Sequence, residues 1–234
     1  VTTPQPILEE ILQRHAVWRG GALAPSARPA VPSGFAVLDR ELPGGGWPSG
    51  ALTEILCARQ GVGELQLVLP ALARLSTSGR RIAWLAPPHL PYAPALAAAG
   101  VDLAQLAVVR APGQRDALWA AEQVLRAGAC HALLAWFRDA RYAELRRLAV
   151  AAEAGRTLVL LFRPKEAACE SSPACLRILL EIERERLLAR ILKRRGALAA
   201  APLGIPIDRP VHALGSAPFP AASARSLAAR PCPV

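Results

Sequence analysis

Thr53-Glu54-Ile55-Leu56-Cys57-Ala58-Arg59-Gln60-Gly61-Val62-Gly63-Glu64-Leu65 leads from an apolar strand through a glycine turn into a helix-patterned run, and its reading decides the fold. The layout is that of a phosphate-binding loop. Such a loop needs G-x-x-x-x-G-K-[ST], so that backbone N–H groups and one Lys hold the phosphates while a hydroxyl holds Mg²⁺. Here Gly61 and Gly63 supply the turn, but Glu64 stands at the Lys position and Leu65 at the Ser/Thr position. A carboxylate placed there repels a triphosphate. The architecture of a nucleotide-binding domain is predicted, without its reaction, its nucleotide or its metal.

Working outward, apolar runs alternate with helix-patterned runs from Gly34 to Phe162. Candidate strands are Leu52–Cys57, Arg81–Ala86, Leu106–Arg110, His131–Phe137 and Thr157–Phe162. Candidate helices are Glu64–Ser76, Pro94–Ala99, Gln114–Ala127 and Arg141–Ala154, with Gly79, Gly100, Gly128 and Gly155 at C-cap positions. This alternation predicts an α/β fold of three layers with a mostly parallel central sheet. Two apolar runs, Leu176–Ile182 and Leu187–Lys193, flank a polar connector and read as an antiparallel hairpin added to the sheet. A continuous helix competes, because alternation is only partly kept.

Residues 1–30 read as an N-terminal helical arm and linker, with Ile7, Leu8, Ile11 and Leu12 on one helical face. Residues 31–195 form the core. The Ala- and Pro-rich stretch 196–234 has little periodicity and is expected to lack fixed structure.

Composition narrows the function. The formal net charge is +10, carried almost wholly by Arg, and favours acidic partners. High genomic GC content, which enriches Ala, Arg, Pro and Gly together, is an equal explanation of that excess. The five cysteines show neither a disulfide framework nor zinc-ligand spacing. No secretory signal and no membrane-length apolar run is visible, so a reducing cytoplasm is expected, with nucleoid association open. Basic candidates for contact with DNA or an acidic protein are Arg146, Arg147, Lys193, Arg194 and Arg195. Trp18 and Arg19 in the arm are candidate partner anchors. Aromatics make up only 5% of residues, which favours protein contact over single-strand stacking.

Two further catalytic positions are empty. The strand Ala132–Phe137 ends without an Asp for Mg²⁺, and the turn Ala86-Pro87-Pro88-His89 lacks the Glu that a RecA-type enzyme, which this core resembles, would place near Pro88. Three concerted losses argue against an enzyme. His89 and His131 have no acidic neighbour in sequence and read as loop and strand-end residues.

The stretches Gly34–Asp39, Gly44–Ile55 and Gly100–Leu103 resemble the RecA-type core in order and spacing. Gly61–Gln66, Phe162-Arg163-Pro164, Ser171–Ala174, Ile191–Gly196 and Trp18-Arg19-Gly20 resemble ImuA, a RecA-like accessory factor of bacterial mutagenic translesion synthesis. That resemblance implies a RecA-like fold and a non-catalytic adaptor in the SOS response. Its implied partners are an ImuB-type Y-family polymerase-like protein, RecA, and DNA as an auxiliary contact, with no membrane and no small-molecule substrate. The chain is also similar to SulA, which implies an alternative function: a division inhibitor that sequesters FtsZ.

Overall fold

The computed structural model describes residues 28–183, 186–197 and 201–207. Two short strands, β1 (Ala30–Val31) and β2 (Trp47–Pro48), pair antiparallel and bracket the four-residue helix α1 (Ala36–Asp39). The main sheet begins with β3 (Ala51–Cys57), every residue of which is buried. It is followed by α2 (Glu64–Thr77), β4 (Ile82–Leu85), α3 (Ala93–Ala98), β5 (Leu106–Val109), α4 (Gln114–Arg126), β6 (Ala132–Trp136), α5 (Tyr142–Gly155) and β7 (Leu158–Pro164). The hairpin β8 (Leu176–Glu183) and β9 (Arg186–Lys193), with β10 (Leu203–Ile205), completes it.

The strand order is β10-β9-β8-β3-β7-β6-β4-β5. From β8 to β5 all neighbours are parallel; β9 and β10 pair antiparallel. Parallel strands covered on both faces should be largely apolar; β4 and β6 are wholly so, while β3 and β7 are apolar apart from Thr53, Glu54 and Arg163. Leu67, Val68, Ala71 and Leu72 of α2 cover one face over Ile55, Trp84, Leu134 and Leu160. Leu118, Ala121 and Leu125 of α4 and Leu145, Leu148 and Ala152 of α5 cover the other over Leu52, Leu133, Val159 and Leu161. These are the three layers expected.

Several expectations are corrected. The stretch from Gly196 is not structureless throughout: Leu203–Ile205 hydrogen-bond to Leu187–Ala189 and end one side of the sheet. A three-residue strand centred on Gly204 carries too short a pattern to be seen in sequence. At the end of α5 the left-handed residue is Arg156 (φ 50°), not Gly155. Gly155 is needed for contact instead, since a Cβ there would lie 2.6 Å from the carbonyl of Leu125. The hairpin reading holds over the described residues, and the helical alternative falls. The arm, with Trp18 and Arg19, lies outside the described residues.

Candidate functional site

The loop after β3 shows what Glu64 does. Gly63 adopts φ 104° at the N-cap of α2, and Gly61 adopts φ 78°. Such left-handed turns strain any residue with a Cβ, and they aim successive N–H groups into one concavity suited to an anion. The Gly61 N–H donates to Glu64 Oε1 at 2.8 Å and the Gly63 N–H donates to Oε2 at 3.1 Å. Glu64 is buried, and its carboxylate also sits in the first turn of α2, where the helix dipole favours negative charge. The loop is thus an anion nest occupied by the chain's own side chain. Leu65 presents no oxygen to a metal, and no cluster of metal-ligating residues exists among the described residues.

Hydrogen bonds to a charged acceptor are worth about 1.5–3 kcal/mol each. Glu64→Ala is therefore expected to lower stability by about 2–3 kcal/mol after partial replacement by water. Glu64→Gln, which keeps one oxygen acceptor, should lose about half as much. Urea unfolding of both variants measures this.

Beside the loop lies a cleft of about 530 Å³, lined by Arg59, Gln60, Glu64, Ala86, Pro88, Trp136, Arg138 and Arg163 among others. It opens at the carboxyl ends of β3, β4, β6 and β7, where ligands bind in open α/β sheets. Its wall contains Phe162, stacked on Trp136 with centroids 4.8 Å apart, and Trp136 in turn meets Trp84 at 5.6 Å. Ala86 sits at φ 48°, held by its N–H to the Val109 carbonyl at 2.9 Å. Cys57 also lines the cleft. Burial first, and the Glu64 charge second, push its thiol up to about 12, so it is an inert thiol at neutral pH.

Under the cleft is a feature that the sequence reading missed. Glu54, in the middle of β3, is fully buried and meets two arginines from the flanking strands. Arg163 Nη1 of β7 lies 3.1 Å from Oε1, and Arg177 Nε of β8 lies 2.5 Å from Oε2. Arg163 also donates to Glu170 at 2.8 Å and to the Ala140 carbonyl at 3.2 Å. Arg177 donates to the carbonyls of Ala167 at 2.5 Å and Glu170 at 3.1 Å, clamping the 3₁₀ turn Lys165–Cys169. The signal was visible: one acid and two arginines stand inside otherwise apolar strands. Such charges are retained in a core only when paired.

The other predicted residues do not converge on the cleft. Arg146 and Arg147 are exposed on α5, and Arg147 pairs loosely with Glu122 of α4 at 3.5 Å. Lys193 donates to the Ser172 carbonyl at 2.8 Å. Arg194 is corrected as a contact residue. Its side chain is only 6% exposed and is bound to Glu41 at 2.7 Å, so its charge is spent within the fold. Arg195 is exposed on the same edge. His89 and His131 are exposed as well, and no described helix is long and apolar enough to cross a membrane.

Residues 50–159 match the sequence profile of the cell division inhibitor SulA. A cell division inhibitor SulA from Edwardsiella piscicida is 37% identical over 103 residues, covering 44% of this chain and 61% of that protein. RecA from Picosynechococcus sp. is 30% identical over 122 residues, covering 52% of this chain and 34% of that protein. The crystal structure of SulA from Pseudomonas aeruginosa aligns at 26% identity and a TM-score of 0.42, covering 48% of this chain and 97% of that one. The chain therefore spans about three-fifths of the SulA relative and one-third of the RecA relative.

Proposed function

We propose that this chain acts by binding protein and not by turning over nucleotide, as a SulA-like, SOS-associated inhibitor that sequesters the division protein FtsZ. The observation that carries the reading is the Glu64 carboxylate seated on the N–H groups of Gly61 and Gly63, in the place a phosphate would need. The similarity of residues 50–159 to the SulA family points the resulting binding scaffold towards a division partner. An FtsZ assembly assay tests it. Equimolar protein should block polymerisation stoichiometrically whether or not ATP is present, and unimpaired assembly at a several-fold excess sinks the reading.

A second reading has its own observation. Strands β8–β10 complete the main sheet, yet they lie wholly beyond the SulA-matched residues. This extra architecture suits an adaptor of the ImuA type, working in the cytoplasm beside an ImuB-type polymerase-like protein and RecA. Arg146, Arg147, Lys193 and Arg195 offer auxiliary contacts to DNA. Co-purification with ImuB-type protein and RecA at micromolar concentration tests it, and binding to neither removes it. Both readings share one prediction: Glu64→Lys gains no ATP hydrolysis. The Mg²⁺ hydroxyl and the catalytic carboxylate are still absent, so phosphate release should stay at the buffer rate.

A further inference from the structure

We infer that the cleft beside the plugged loop is a docking site for an acidic segment of a protein partner, whose carboxylates are held between Arg59 and Arg138. The inference rests on the protein-binding reading above and names the surface it uses. Four features meet in this one cavity. Arg59, after β3, and Arg138, after β6, are both exposed on its lining. Among the described residues neither has an ion pair or hydrogen bond, unlike Arg163, Arg177 and Arg194, whose charges are met inside the fold. Arg163 lines the cavity, and its buried Nε has no hydrogen-bond partner. Buried donors are seldom left so without a purpose. Finally, the wall at Ala86 is held at φ 48°, a conformation that L residues adopt at a cost and that clusters at binding sites.

The identity of the ligand follows from charge and donor count. The backbone N–H groups that would hold a phosphate are already used by Glu64. A phosphate ester concentrates about −1.5 to −2 charges on one group beside the Glu64 carboxylate, whereas two carboxylates spread a similar charge over two separate guanidinium groups. Guanidinium groups grip carboxylates through two parallel N–H···O bonds, so two uncommitted arginines suit two acidic side chains. The half-buried Trp136 and the exposed Pro88 between them give an apolar residue of the same segment a surface to lie on. A net charge of +10 steers such a segment to the protein.

The test uses the full chain and a fluorescein-labelled pentapeptide, Asp-Glu-Phe-Glu-Asp, followed by fluorescence anisotropy. Saturable binding that weakens with salt is expected. Arg59→Ala with Arg138→Ala should weaken it at least tenfold, while Arg74→Ala with Arg126→Ala, at the opposite end of the sheet, should leave it unchanged. The Asn/Gln counterpart of the peptide should not compete. Equal affinity in the Arg59/Arg138 variant, or equal loss in the Arg74/Arg126 variant, overturns the proposal. So does displacement of the peptide by Mg-ATP or oligo-dT at lower concentration than by unlabelled peptide. If the chain blocks FtsZ or retains ImuB-type protein and the Arg59/Arg138 variant does so equally well, the cleft assignment fails while the protein-binding reading stands.

Discussion

Glu54→Ala is expected to lower the stability of the fold by about 3–5 kcal/mol, seen as a large fall in the urea midpoint with the slope preserved. The carboxylate is the ion-pair partner common to Arg163 and Arg177, two guanidinium groups from strands on either side of β3. Its removal leaves two cations in a buried setting with Glu170, itself half-exposed, as the remaining counter-charge for one of them. Domains of this kind have only about 5–15 kcal/mol in hand, so the variant should approach unfolding at growth temperature. A second variant isolates the cause. Glu54→Leu with Arg163→Met and Arg177→Met removes all three charges and should recover much of the loss, because a buried ion triad is often no more stable than packed apolar groups. A triple variant as unstable as Glu54→Ala sinks the electrostatic account and leaves lost packing or lost clamping of the 165–169 turn as the cause.

Phe162→Ala is the second large expected loss, about 3–5 kcal/mol. Phe162 is 5% exposed and stacks on Trp136 with rings 16° from parallel, and Trp136 passes the contact to Trp84 on the next strand. These three rings span β7, β6 and β4, so truncation leaves a void in the sheet directly beneath the cleft. Phe162→Leu keeps most of the volume and should lose less than about 1.5 kcal/mol. Thermal unfolding of both variants gives the ordering. If the alanine variant melts within a degree of the parent, the aromatic stack is not what holds the wall.

The sheet was legible because its central parallel strands are buried on both faces and therefore read as largely apolar runs between turn glycines. Leu52–Cys57 and Ala132–Trp136 are clear in this way, and the hairpin was seen from the polar break between two apolar runs. β10 was not, since three residues with a central glycine carry no period. The site was half legible. Glu64, Gly61 and Gly63 lie within four residues of each other, so spacing alone exposed the failed phosphate loop, though not the carboxylate's return into it. The Glu54 triad joins residues 109 and 123 positions apart, which only the crossover topology brings together. Arg194 misled for the same reason: its neighbour Glu41 is 153 positions away.

The place of β3 between β7 and β8 has a consequence in time. The ribosome delivers Ala51–Cys57 first, but its parallel neighbours Leu158–Pro164 and Leu176–Glu183 come more than 100 residues later. At about 5–20 residues per second, β3 waits roughly 5–20 s before either flank exists. Throughout that interval a strand that ends fully buried has no neighbour to pair with, and Glu54 has neither of its cations. The molecule thus has no partial form that is both compact and electrically satisfied. Assembly of the sheet around β3 therefore belongs to the last part of synthesis, when Leu158–Pro164 and Leu176–Glu183 have both emerged.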